Sequence, residues 1–96
     1  MNQEYMIHLD YTIERMNVHE VHENYTVLAT VDALGQGRLY NFNNSLVLTP
    51  LEYSKGEKLD GLKEFHIGHN NDWKLFNSYV LTQEGEVRGL GLYDID

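Results

Sequence analysis

Cysteine is absent from the 96 residues. The chain therefore has no disulfide framework, no thiolate to hold a metal and no thiol nucleophile, in keeping with a reducing interior. Basic residues are scarce. Seven Lys and Arg stand against 15 Asp and Glu, a formal net charge of −8. Proteins that grip phosphate backbones carry a basic patch that releases counterions. Here Lys55, Lys58, Lys63 and Lys74 are interspersed with Glu57, Asp60, Glu64 and Asp72 and form no basic stripe. Direct binding to nucleic acid or anionic lipid is not expected. No apolar run approaches the ~20 residues of a membrane helix. Met1-Asn2-Gln3-Glu4 has no basic segment leading into an apolar one, so no signal peptide is expected and the cytoplasm is the default compartment. Proline occurs once, at Pro50, and there is no linker, repeat or low-complexity tract.

Catalytic motifs are equally sparse. The serines are Ser45, Ser54 and Ser78, none within G-x-S-x-G. The glycines from Gly85 to Gly91 match no phosphate-cradling loop. The chain is not expected to be an enzyme or to need a cofactor.

What remains is a folded domain. A hydrophobic content of 42% and an aromatic content of 11% are too high for a disordered chain, and the length suits one domain over 1–96. Most of the chain reads as strands with period-two alternation. Tyr5, Ile7, Leu9, Tyr11 and Ile13 share one face of a first strand over 5–15, and residues 16–23 form a polar connection with a helical turn capped by Asn17. A second strand covers 24–34, with Tyr25, Val27, Ala29, Val31 and Ala33 on one face. Gly35-Gln36-Gly37 turns the chain into a hairpin strand over 38–42. A short strand over 46–48 follows the turn signal Asn43-Asn44-Ser45. Thr49-Pro50-Leu51-Glu52 has the form of a capped helix start, predicting one short helix near 50–55 that ends at Gly56. Strands over 63–67 (Phe65 and Ile67 inward), 73–82 and 87–95 complete the chain, the last two joined at Gln83-Glu84-Gly85-Glu86. Gly89 and Gly91 suit a sharply bent strand. The expected fold is mainly β: a small antiparallel barrel or sandwich of six to seven short strands with one short helix. The alternative is an α+β fold, an antiparallel sheet covered by that helix. Tyr5, Tyr11, Tyr25 and Trp73 fall on inward phases. Tyr40 and Phe42 fall on the opposite phase from Leu39 and are the expected exposed aromatics.

Acids gather toward the termini. Residues 1–32 carry Glu4, Asp10, Glu14, Glu20, Glu23 and Asp32 against Arg15 alone, and residues 76–96 carry Glu84, Glu86, Asp94 and Asp96 against Arg88. If the first and last strands lie close, one side of the molecule collects most of the negative potential and attracts a basic cleft. The leading expectation is a small acidic, non-enzymatic binding protein that inhibits a partner with a basic surface. A nucleic-acid-handling enzyme is the most concrete partner, in an anti-CRISPR, anti-restriction or nuclease-immunity role. Asp10, Glu14, Glu20 and Glu23 would stand where phosphates stand, and Tyr40 and Phe42 would anchor by burial. A different class is a nucleotide or metabolite sponge with Arg15, Arg38 or Arg88 turned inward. A third is a phage-like assembly subunit. Open strand edges also permit a homodimer. His19 with His22, and His66 with His69, have H-x-x-H spacing. Residues three apart on a strand point to opposite faces, so such pairs converge on a metal only in a helix or turn.

Overall fold

A computed structural model describes residues 6–22, 25–42, 47–51, 59–68 and 75–94, with the side chains of 21, 22, 75, 76 and 92–94 left aside. It is mainly β, with seven antiparallel strands in two sheets and no helix among the described residues. Sheet A has the order β1 (Ile13–His22), β2 (Tyr25–Asp32), β3 (Gly37–Phe42), β4 (Thr49–Leu51). Sheet B has the order β5 (Leu62–Gly68), β6 (Leu75–Thr82), β7 (Val87–Asp94). The two sheets do not close into a barrel.

Register decides which residues meet. Val27, Ala29 and Val31 of β2 share a face with Leu39 of β3, because Ala29 sits opposite Leu39 and Val31 opposite Gly37. Sheet B answers with Leu62, Phe65, Ile67, Val80 and Leu90, and these nine buried side chains form one core between the sheets. Fully burying one such aliphatic side chain stabilises the fold by roughly 1.5–3 kcal/mol. Tyr25, Leu51 and Leu59 pack against its margin. Between the sheets the Asn17 side chain, not a backbone ladder, bridges β1 to β5: its Oδ1 accepts the Ile67 N–H at 3.1 Å.

One end of the sandwich is stitched by backbone. Gly35 turns β2 into β3 at φ 85°, a conformation that favours glycine. Its carbonyl accepts the Leu62 N–H at 2.8 Å, the Gly37 N–H donates to the Leu59 carbonyl, and the Gln83 N–H donates to the Gly61 carbonyl. At Gly37 the chains pass so closely that an added Cβ would lie 2.6 Å from Leu62 Cδ1. On β7 the register slips opposite Ser78 and Tyr79, leaving Leu90 extra, and Gly91 takes φ 78° there. The paired glycines of this strand thus serve a bulge.

Several expectations require correction. The first strand is Ile13–His22, not 5–15. Residues 6–12 form no ladder and cross the outer face of sheet A, the face away from sheet B. Their alternation does report a covered side, but it is covered by contact with a sheet face. Residues 16–23, expected as a polar connection, supply most of β1. That strand was hidden because its half-buried positions are the polar Asn17 and His19, while Met16 and Val18 are exposed. Tyr11 accordingly packs on the outer face and not in the inter-sheet core. Thr49-Pro50-Leu51 opens no helix but forms edge strand β4, paired with Leu39–Asn41. Proline is tolerated there because an edge strand has one side without ladder bonds. The rest of the expected helix, at 52–55, lies outside the described residues. Val47 and Leu48 precede β4 and are not in a strand. Tyr5, Trp73 and the turn at 43–45 also lie outside the described residues.

Candidate functional site

The outer face of sheet A is where the expected site residues and the unexpected packing meet. Three cross-strand rows build it: Met16, Thr30 and Arg38; Val18, Leu28 and Tyr40; Glu20, Thr26 and Phe42. Its cover is partial. Toward the Arg38 end, Tyr11 reaches down from the crossing segment. Its hydroxyl shares hydrogen bonds with Thr30 Oγ1 at 3.0 Å and Tyr40 Oη at 2.8 Å. The Arg38 guanidinium lies 4.0 Å from the centre of the Tyr11 ring, a cation–π contact worth about 0.5–1 kcal/mol where solvent reaches it. The same guanidinium donates to Asp32 Oδ2 at 2.7 Å, while Asp32 Oδ1 accepts the N–H groups of Leu34 and Gln36, each at 2.9 Å. Asp32 thus caps the β2–β3 turn and orients Arg38 at once.

These contacts set the ionisation of the cluster. The Gln36 N–H, then Arg38, holds the Asp32 carboxyl below the usual carboxylate range. Burial, reinforced by the Tyr11 hydrogen bond and the nearby Asp10 charge, pushes the Tyr40 hydroxyl well above its ordinary value of 10.0. The shifts of Asp32 and Tyr40 both favour a carboxylate beside Arg38 and a protonated Tyr40 hydroxyl.

Along β1 the cover is thin. Ile7 and Leu9 of the crossing segment line an apolar groove of about 250 Å³ together with Ile13, Met16 and Val18 of β1. Leu28, Phe42 and Leu48 complete it. Leu28 is buried at its floor, but Met16 remains 61% exposed and Val18 52%. Large apolar side chains left open on a sheet face mark interaction surfaces more often than scattered single residues do.

The expected site residues are distributed unevenly. Tyr40 and Phe42, expected as exposed aromatics, do lie on this face but are half-buried, Tyr40 because Tyr11 fastens it and Phe42 because it sits in the groove. Glu20 shares the Phe42 row and is exposed; Asp10 is exposed on the crossing segment, close enough to bear on Tyr40. Glu14 departs: a register slip between Ile13 and Arg15 turns it into a cleft at the stitched end, with Lys63 and Gln83. Glu23 lies outside the described residues. The first strand does not neighbour the last. β1 lies against β5, and β7 is the far edge of sheet B, so the terminal acids are divided between two sheets. Sequence reasoning missed Met16, Val18 and Tyr11. The signal available for the first two was the apolar pair at spacing two within a stretch otherwise read as a connection.

The histidine pairs are only partly described. His19 is half-buried on β1, and His66 is exposed on β5 with Nε2 3.9 Å from Glu64 Oε1. The side chain of His22 and all of His69 lie outside the described residues. Among the described residues, no three His, Asp or Glu side chains converge as a metal site would require. No helix among them is long and apolar enough to cross a membrane. No family model matches the chain, and no curated protein or solved structure matches it either.

Proposed function

We propose that this chain is a small acidic binding protein that acts without catalysis, inhibiting a macromolecular partner by occupying its basic surface. The most concrete partner is a nucleic-acid-handling enzyme, with a role of the anti-CRISPR, anti-restriction or nuclease-immunity kind. One observation carries the reading: the outer face of sheet A leaves Met16 and Val18 open beside Glu20 and Asp10. Its described basic side chain, Arg38, is already paired with Asp32. An apolar centre rimmed by acids offers burial for affinity and negative potential for steering. The net charge of −8 extends that potential over the whole molecule. The groove, at about 250 Å³, is smaller than the ~300–1,000 Å³ usual for small-molecule sites, and among the described residues no arginine lines it. These features favour a protein surface over a nucleotide as the occupant.

The experiment compares capture by three immobilised chains: the parent, the outer-face variant Met16→Thr/Val18→Thr, and Val87→Thr as a control on sheet B, where Val87 is 73% exposed. A host protein retained by the parent and the control, lost by the outer-face variant and weakened by rising salt is the expected result. Retention by the outer-face variant, or an affinity indifferent to salt, contradicts the proposal.

A further inference from the structure

At the stitched end, away from the outer face, two irregular strand starts face one cleft. β1 slips register between Ile13 and Arg15, and β5 slips between Leu62 and Glu64. Bulges re-aim side chains, and they concentrate at sheet edges and beside functional sites. Here they belong to edge strands of different sheets, and Glu14 and Arg15 from one and Lys63 from the other line the same cleft. The cleft is about 210 Å³ and is also lined by Ala33, Val31, Leu62 and Gln83 of the β6–β7 turn, of which Ala33 is exposed while Val31 and Leu62 are closed to solvent.

The charges in the cleft are not spent on one another. Neither Glu14 nor Lys63 takes part in the Arg38–Asp32 ion pair or in the contact between His66 and Glu64. Arg15 donates through Nη1 to the Glu14 carbonyl at 2.8 Å. This tethers its guanidinium at the rim and leaves its other donors available. Asp32, which also borders the cleft, is committed to Arg38 and two backbone N–H groups. The groups left to a ligand are one carboxylate, one ammonium and one guanidinium, beside the exposed methyl of Ala33.

We infer that this cleft binds a small zwitterion, an aliphatic α-amino acid. The ligand's ammonium group meets Glu14, its carboxylate meets Lys63 and Arg15, and its side chain lies against Ala33, the exposed apolar residue of the lining. A ligand with one charge leaves either Glu14 or the Lys63–Arg15 pair unanswered. The volume, small beside that of drug-sized sites, suits a ligand of few heavy atoms. The inference is independent of the binding role proposed for the outer face.

The test is a backbone amide NMR titration of the full chain with L-alanine, L-valine and L-leucine. Isovalerate and isobutylamine, which are valine without its ammonium and without its carboxylate, serve as matched probes. At least one amino acid is expected to give saturable shifts at Glu14, Arg15, Ala33, Lys63 and Gln83. Both single-charge probes bind about tenfold more weakly or worse, the loss of one charge-assisted hydrogen bond. Glu14→Gln and Lys63→Gln each weaken the amino acid by a similar factor, and Glu84→Gln, in the β6–β7 turn, does not. Absence of saturable shifts with all three amino acids overturns the inference, as does equal binding of isovalerate or isobutylamine.

Discussion

The two faces of sheet A are woven from the same strands and end in opposite conditions. The inner face carries Val27, Ala29, Val31 and Leu39, each at most 2% exposed, because a second sheet lies on it. The outer face carries Leu28, Phe42, Met16 and Val18 and, among the described residues, receives the crossing segment of residues 6–12, fastened through Tyr11, and Leu48. Inner-face burial is complete and belongs to stability. On the outer face it stops halfway, and the proposed binding role rests on that unfinished cover. The difference also separates two kinds of adhesion. One face is held by close-packed aliphatics, the other by a polar hub of two tyrosines, one arginine and one aspartate.

Substitutions can break that contrast, and their effects should fall in a definite order. Leu62→Ala, at the junction of core and stitched end, is expected to cost about 2–5 kcal/mol in urea unfolding. Gly37→Ala follows, because its methyl would press on Leu62 Cδ1 from 2.6 Å and Leu59 Cβ from 3.2 Å; overpacking of this kind costs about 1–3 kcal/mol. Tyr11→Phe removes the hydroxyl shared with Thr30 and Tyr40 but keeps the ring under Arg38, and about 1 kcal/mol is expected. A loss as large as that of Leu62→Ala would mean that the outer face is as essential as the core.

Ionisation sharpens the same comparison. The folded Tyr40 hydroxyl holds its proton more tightly than the unfolded one. Its contribution is therefore complete below a pH of about 10 and declines as pH rises beyond it. Asp32 behaves oppositely: its carboxyl is depressed in the fold, so its contribution is present above a pH of about 4 and is lost as pH falls further. Melting curves across pH should show an alkaline decline that Tyr40→Phe reduces and an acid decline that Asp32→Asn reduces. Unchanged limbs in both variants would remove the hub from the account.

The elements legible in the sequence are those whose local pattern and tertiary environment agree. β2 alternates with its apolar phase inward, and Phe65 and Ile67 face the core as their spacing implies; the expected turn at Gly35-Gln36-Gly37 falls two residues earlier, on Ala33 and Leu34, with Gly35 at φ 85° closing it and Gly37 already in β3. β1 was illegible because its environment inverts the pattern, with Asn17 directed toward β5 and Met16 and Val18 left outside. β4 was illegible because a helix-start signature was overridden by pairing with β3. Within the candidate site, the shared face of Tyr40 and Phe42 followed from their phase against Leu39. The departure of Glu14 could not be foreseen, since a bulge shifts every later side chain without altering composition. Tyr11 gave no sign of being a hub, because its partners Thr30, Arg38 and Tyr40 converge only through the crossing of the chain.

The most direct test of the claim that the outer face serves binding and not folding measures both properties on one protein. Met16→Thr/Val18→Thr should unfold within about 1 kcal/mol of the parent, since both replacements are exposed and threonine favours strands, yet lose the captured partner. A stability loss of core size, or undiminished capture by a folded variant, would contradict it.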